Sequence, residues 1–172
     1  MPTALETSRL VLRPVVEGDA SEIMALLSDP GVFRFLCDGV PASPDLVREI
    51  VTASAASFRE DGVGQFLATL RGSGAVAGLA GFRRAEIGGL ELLCALWPRL
   101  WGQGLAEEAS RACLAFAFQT AGVKEVFAGA DAPNAASLRL IARLGFQPLR
   151  ETPGAFGAIR WFVRRRAGPS QA

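Results

Sequence analysis

The chain has 172 residues and a mass of 18.1 kDa, enough for one domain with a sizeable core. Half of its residues are apolar, mean hydropathy is +0.28 and net charge is +1, with arginines scattered among acids; this balance argues against a dedicated nucleic-acid binder. There is no histidine and no tyrosine, which removes Ser-His-Asp and Cys-His triads and most transition-metal sites, so no metal is expected.

The N-terminus, Met1-Pro2-Thr3-Ala4-Leu5-Glu6, lacks the basic start and apolar run of a secretory signal. No apolar stretch approaches the roughly 18–20 residues of a membrane span. Arg9–Val15 reads as a first strand ended at Pro14, and Asp19-Ala20-Ser21-Glu22 as a capping box for a helix holding Ile23, Met24, Leu26 and Leu27. Asp29-Pro30 breaks it, and a second helical piece holds Phe33, Phe35 and Leu36. Ser43-Pro44 opens a third helix, with Leu46, Ile50, Val51, Ala55 and Phe58 on its apolar side. Gln65–Leu70 and Val76–Phe82 form a hairpin around Arg71-Gly72-Ser73-Gly74. After Ile87-Gly88-Gly89 comes a buried strand, Leu90–Trp97, then a helix Leu105–Ala121 closed by Gly122. The rest alternates: strand Glu125–Ala130, helix Ala135–Leu144, strands Gln147–Thr152 and Ile159–Arg164. The expected architecture is a single mixed α/β (α+β) domain over residues 1–166, with a frayed tail at 167–172. Cys37, Cys94 and Cys113 are odd in number and far apart, which points to free thiols and a cytoplasmic protein.

The most informative segment is Trp97-Pro98-Arg99-Leu100-Trp101-Gly102-Gln103-Gly104-Leu105-Ala106-Glu107-Glu108-Ala109. Pro98 stops the strand, two glycines follow, and a helix begins at once. Such a loop presents unpaired N–H groups at the positive end of a helix dipole and suits a phosphate or pyrophosphate. A Walker loop fails because the one lysine, Lys124, is remote. A dinucleotide fingerprint fails because Glu107 stands where its third glycine belongs.

A third pattern, Gln/Arg-x-x-Gly-x-Gly/Ala after a strand and a proline, fits in two frames. One starts at Arg99; the preferred one is Trp101-Gly102-Gln103-Gly104-Leu105-Ala106. It resembles the acetyl-CoA loop of the GNAT family of N-acetyltransferases, in the form seen in its Rim-type branch, which acts on ribosomal-protein N-termini. The resemblance extends along most of the chain. Leu5–Pro14 looks like that branch's opening segment, Asp19-Ala20 and Asp29-Pro30 stand at its places, and Glu91–Leu96 fills the slot of its central strand. Asn134-Ala135-Ala136-Ser137 resembles its Asn-x-x-Ser, and Leu144-Gly145-Phe146 its Leu-Gly-Phe.

The resemblance implies a mixed, mostly antiparallel sheet splayed between its fourth and fifth strands, here Leu90–Trp97 and Glu125–Ala130, with coenzyme A in the cleft. It implies an acetyl-CoA-dependent N-acetyltransferase working by direct attack in a ternary complex, with no nucleic-acid or membrane partner, as a monomer or homodimer. The acceptor would be a peptide N-terminal α-amine or a small amine. Pantetheine would pair with Cys94, Ala95 and Leu96, the Leu96 N–H serving as oxyanion donor. The pyrophosphate would lie on Trp101, Gly102, Gln103, Gly104, Leu105, Ala106 and Glu107 through their amides. Asn134 would bond pantetheine, and Ser137 the departing thiolate. The family often places a tyrosine seven residues after this asparagine; here that position is Ile141, which moves the acid role to Ser137 or water.

For the base, strand alternation puts Glu91 on a face with Leu93 and Ala95, where a glutamate needs a partner or a tightly held proton. Asp131 is the reserve carboxylate. Glu107 and Glu108 suit the helix dipole, and an acylated Cys94 has nothing in the sequence to activate it. A non-catalytic acyl-CoA-binding domain and a nucleotide-binding module are the rival readings.

Overall fold

The computed structural model describes residues 4–168. Its strands are β1 (Leu5–Glu6), β2 (Leu10–Pro14), β3 (Gln65–Leu70), β4 (Val76–Arg84), β5 (Leu90–Leu96), β6 (Glu125–Asp131), β7 (Gln147–Gly154) and β8 (Gly157–Arg165). Its α-helices are α1 (Ala20–Leu27), α2 (Pro30–Leu36), α3 (Pro44–Glu60), α4 (Leu105–Ala115) and α5 (Ala135–Arg143). They form one sheet in the order β1-β2-β3-β4-β5-β6-β8-β7. Every neighbouring pair is antiparallel except β5 and β6, so the expected splay falls between these two, one number later because of the unforeseen β1.

Period-two alternation divides the interior into two layers. Leu10, Leu12, Phe66, Ala80, Phe82, Leu92 and Leu96 face α4 and α5, meeting Leu105, Ala109, Cys113 and Ile141. Leu67, Leu79 and Ala95 face the other way, against Ile23, Leu26 and Leu27 of α1 and Val47 of α3. Phe66 is fully buried between Phe58 and Phe116, edge-on with ring centroids 5.3 and 5.9 Å away. Burying such a ring contributes about 2–3 kcal/mol. At Gly78 the backbone has φ +152°, and a Cβ would lie 2.0 Å from the Ala95 carbonyl oxygen, so only glycine lets β4 approach β5 this closely.

Three details differ from the sequence reading. Asp19 does not cap α1: it ends a short 3₁₀ turn, Glu17–Asp19, from which its carboxylate reaches back to the Val16 N–H and to Arg13. The helix expected to Ala121 is α-helical to Ala115, then makes one π turn, Phe116–Thr120, before Gly122 at φ +74°. The final strands are longer than expected, because β7 and β8 stay paired down to Gly154 and Gly157. Except for Ala167 and Gly168, the tail lies outside the described residues. No helix among the described residues is long and apolar enough to cross a membrane.

Candidate active site

The parallel pairing of β5 with β6 consists of one register pair, Glu91 opposite Phe127, beyond which the strands diverge toward their C-terminal ends. Which groups of β5 line this gap follows from its antiparallel partner. The Trp97 N–H donates to the Ala77 carbonyl at 3.0 Å, and bonded and non-bonded pairs alternate along such a ladder. Ala95 and Leu93 therefore bond toward β4, while the N–H and C=O groups of Leu96 and Cys94 point away from it, into the gap. The Trp101 indole agrees, since its Nε1 donates to the Leu96 carbonyl at 2.8 Å. Of the three residues expected at the pantetheine arm, Cys94 and Leu96 offer backbone groups, whereas Ala95 offers only its side-chain face.

Past β5, Pro98–Leu100 makes a 3₁₀ turn and Trp101 is extended, with its ring edge against Gly31 of α2. Gly102 and Gly104 both have positive φ, +72° and +77°, and no described atom comes within 4 Å of a Cβ at Gly102. They are glycines for conformation, not for packing, and the loop is open on its outer side. Gly104 caps α4, whose first bond runs from the Glu108 N–H to the Gly104 carbonyl, so the N–H groups of Leu105, Ala106 and Glu107 have no partner within the helix. These are the amides available to a pyrophosphate.

The two acids of this turn would repel such a ligand if they faced it, but both are engaged elsewhere. Glu107 bridges Arg111 and Arg143 at 2.7 and 2.8 Å, and these bonds hold its carboxyl below the usual range. Burial alone would raise the carboxyl of Glu108; hydrogen bonds from Thr7, the Arg9 backbone and side chain, and Ser8 outweigh it and hold the pKa at about 2. Arg9 also donates to the Gln103 carbonyl at 2.8 Å. The N-terminal segment thus clamps the loop, a role that the sequence reading of Leu5–Pro14 missed.

On the far wall, Asn134 caps α5 by accepting from the Ser137 N–H at 3.2 Å, which leaves only its Nδ2 to reach a pantetheine. Ser137 is half-buried in the first turn, and Ile141, one turn on, is buried in the core. Cys94 is ill-suited to nucleophilic attack because burial pushes its thiol up to about 12.

The two candidate bases differ sharply. Glu91 is 5 % exposed and sits directly opposite Arg83 on β4, whose Nε reaches its carboxylate at 2.9 Å. That is the partner a buried carboxylate needs, and it ties Glu91 to the β4–β5 pairing. Asp131 is 7 % exposed, and its Oδ1 is fully buried with no hydrogen-bond partner among the described residues. Burial, and then the nearby Asp38, raise its pKa above the ordinary value.

A gap beside a strand edge and a helix N-terminus at its mouth could hold an acyl thioester with a pyrophosphate handle. A family model described as an acetyltransferase (GNAT) domain matches residues 9–147. The chain is 30% identical over 150 residues to the uncharacterized N-acetyltransferase YoaA of Bacillus subtilis (strain 168), covering 83% of this chain and 82% of that one. It shares its fold with the ribosomal-protein-S5-alanine acetyltransferase of Vibrio fischeri, at TM-score 0.76 and 14% identity over 96% of this chain and 97% of that one. It shares it equally with the spermidine N-acetyltransferase of Vibrio cholerae, solved with CoA and spermine, at TM-score 0.75 and 17% identity over 93% and 97%. The chain belongs to the GNAT family of acetyltransferases, enzymes that draw their acetyl group from acetyl-CoA.

Proposed function

We propose that the protein transfers acetyl from acetyl-CoA to the α-amine of a peptide or protein N-terminus, by direct attack within a ternary complex. The observation that carries this reading is the outward-pointing N–H of Leu96, at the open edge of β5 and one short loop before the free amides of α4. A thioester whose pyrophosphate lies on those amides and whose arm follows the edge brings its carbonyl oxygen to that donor. Ser137, half-buried in the first turn of α5, would hydrogen-bond the departing thiolate. Glu91, committed to Arg83, would fix the strand and not take the proton.

The choice of amine follows from the acid–base groups. Without His or Tyr, only carboxylates, thiols, Lys124 and water remain. At pH 7.5 about a third of α-amines are already neutral, against about a thousandth of lysine side chains. Such a site favours the amine that gives up its proton most easily. These neighbours include one named for an alanine of a ribosomal protein and one named for a polyamine, so both kinds of acceptor occur on this fold.

A mass-spectrometric panel tests the reading, pairing short Ser- or Ala-initiated peptides with free and blocked N-termini, lysine-bearing controls and spermidine. Acetylation of free N-termini above blocked, lysine-bearing peptides is expected. The reverse order overturns it, and turnover of spermidine alone shifts the assignment to small amines.

A further inference from the structure

Asp131 is oddly placed for a structural residue. The β5–β6 register sets Glu91 opposite Phe127, so four residues further along each strand Asp131 stands level with Ala95, one position before Leu96. In parallel strands, residues at the same level share a face. Asp131 therefore lies on the side of α1–α3, the side away from Val126, Ala128 and Ala130, which pack toward α4 and α5. This is the face from which an acceptor would approach the thioester.

The walls around it come from two distant segments. A Cβ at Gly154, near the tip of the β7–β8 hairpin, would lie 3.4 Å from Asp131 Oδ1. In the turn of that hairpin, the Phe156 ring touches Phe35 edge-on at 5.6 Å and lies against Gly39. Asp38, next to Gly39, is the only non-glycine among the described residues with positive φ, at +52°. Of the nearby cations, Arg83 pairs with Glu91 and Arg160 with Glu151, while the Arg34 guanidinium lies over the Phe35 ring, 5.0 Å from its centroid. Among the described residues no arginine or lysine forms an ion pair with Asp38 or Asp131. Two carboxylates, one of them buried with an orphaned oxygen, thus stand at the two places where the tip of the β7–β8 hairpin packs, Asp131 beside Gly154 and Asp38 next to the Gly39 that meets Phe156, and neither forms an ion pair among the described residues.

We propose that Asp131 and Asp38 receive the ammonium group of the acceptor, that Asp131 takes its proton, and that the pair selects primary amines with no carboxylate beside the amine. This rests on the acetyl-transfer reading and narrows its substrate class. The step balances: the ammonium gives one proton to the Asp131 carboxylate, and the freed lone pair attacks the thioester carbon. The C–S bond breaks, and the second N–H proton goes to the thiolate through Ser137 or water. The products are the acetamide, free CoA thiol and one proton on Asp131, which passes to solvent. A peptide N-terminus, whose neighbour is a neutral amide, meets this demand; a free amino acid brings a third carboxylate beside the pair and is repelled.

The test uses alaninamide and alanine as acceptors, with thiol release from acetyl-CoA for turnover and calorimetry for binding to the CoA-loaded protein. Wild-type enzyme should use alaninamide at least tenfold better than alanine in kcat/KM. Asp131→Asn should lower kcat for alaninamide at least 100-fold and raise its KM at least tenfold, with CoA affinity unchanged within twofold. Asp38→Asn should raise that KM at least fivefold and narrow the preference over alanine. Fold integrity has its own readout. Burial raises the Asp131 pKa above its unfolded value, so above about pH 4 its charge costs stability, and Asp131→Asn should melt at or above the wild-type temperature. Wild-type acceptor kinetics in both variants would overturn the proposal while leaving acetyl transfer intact. If no amine is turned over, acetyl transfer fails instead. Alaninamide binding that disappears in Asp131→Asn would then still support the ammonium site, and no binding would overturn it.

Discussion

Single residues in this site differ in what their surroundings let them do. Glu91 and Asp131 are both nine-tenths buried carboxylates, yet one faces a guanidinium and the other an acid. The first is paired and holds two strands together; the second is kept ready for a positive ligand. Ser137 is a subtler case, because its backbone N–H serves the Asn134 cap while its hydroxyl remains available. If that hydroxyl assists the leaving thiolate, Ser137→Ala should lower kcat about tenfold or more and leave the KM for acetyl-CoA within about twofold. Steady-state kinetics with a fixed saturating peptide would measure both, and equal changes in the two would reduce Ser137 to a packing residue.

At the scale of elements, the start of α4 depends on the segment before β2. Glu108 draws four hydrogen bonds from Thr7, Ser8 and Arg9 across about a hundred residues of chain, and the same arginine holds the Gln103 carbonyl. A carboxyl held at about 2 when folded, against about 4.3 unfolded, contributes stability that is fully present above the unfolded value and is lost as pH falls toward 2. Replacing it by glutamine removes about 1–2 kcal/mol near neutrality, or roughly 3–6 °C of melting temperature. Thermal melts of Glu108→Gln and wild type should differ by that amount at pH 7, narrow below about pH 4 and converge only near pH 2; a constant gap would mean the loss is one of shape. The sequence announced where α4 begins, because Pro98, Gly102 and Gly104 act through their own backbone. It did not announce this clamp or the burial of Asp131, since each depends on segments far apart in the chain, nor the Arg83–Glu91 pair, which depends on the exact register of the β4–β5 hairpin. Asp131 in particular reads locally as a turn residue three positions before a cap. Likewise β1, two residues long, carries no period from which to read a strand.

For the whole molecule, the consequence of a single β5–β6 register pair is a seam. Strands β1–β5 and β6–β8 are each well paired within themselves, and the sheet is weakest at the gap proposed for acetyl-CoA. A ligand bridging the seam should stabilise the fold by about 2.7 kcal/mol when present at about 100 times its dissociation constant. Hydrogen exchange should locate the effect by alternation. With CoA bound, the Leu96 and Cys94 amides should slow at least tenfold, while those of Ala95 and Leu93, already bonded to β4, should change little. Equal protection at all four would contradict the assigned direction of the open edge.

That alternation also determines where this chain can tolerate change. At Cys94 and Leu96 the groups offered to the thioester are ones every non-proline residue possesses, so the letters written there are nearly free to drift within what the core accepts. What cannot drift is parity. Losing one residue from the Glu86–Gly89 turn would shift β5 by one place against β4, turn the Leu96 N–H into the sheet and expose that of Ala95 instead. The edge proposed for the thioester is therefore inherited as a count of residues more than as a motif, and a single deletion well away from it would damage it more than most substitutions at Cys94 or Leu96.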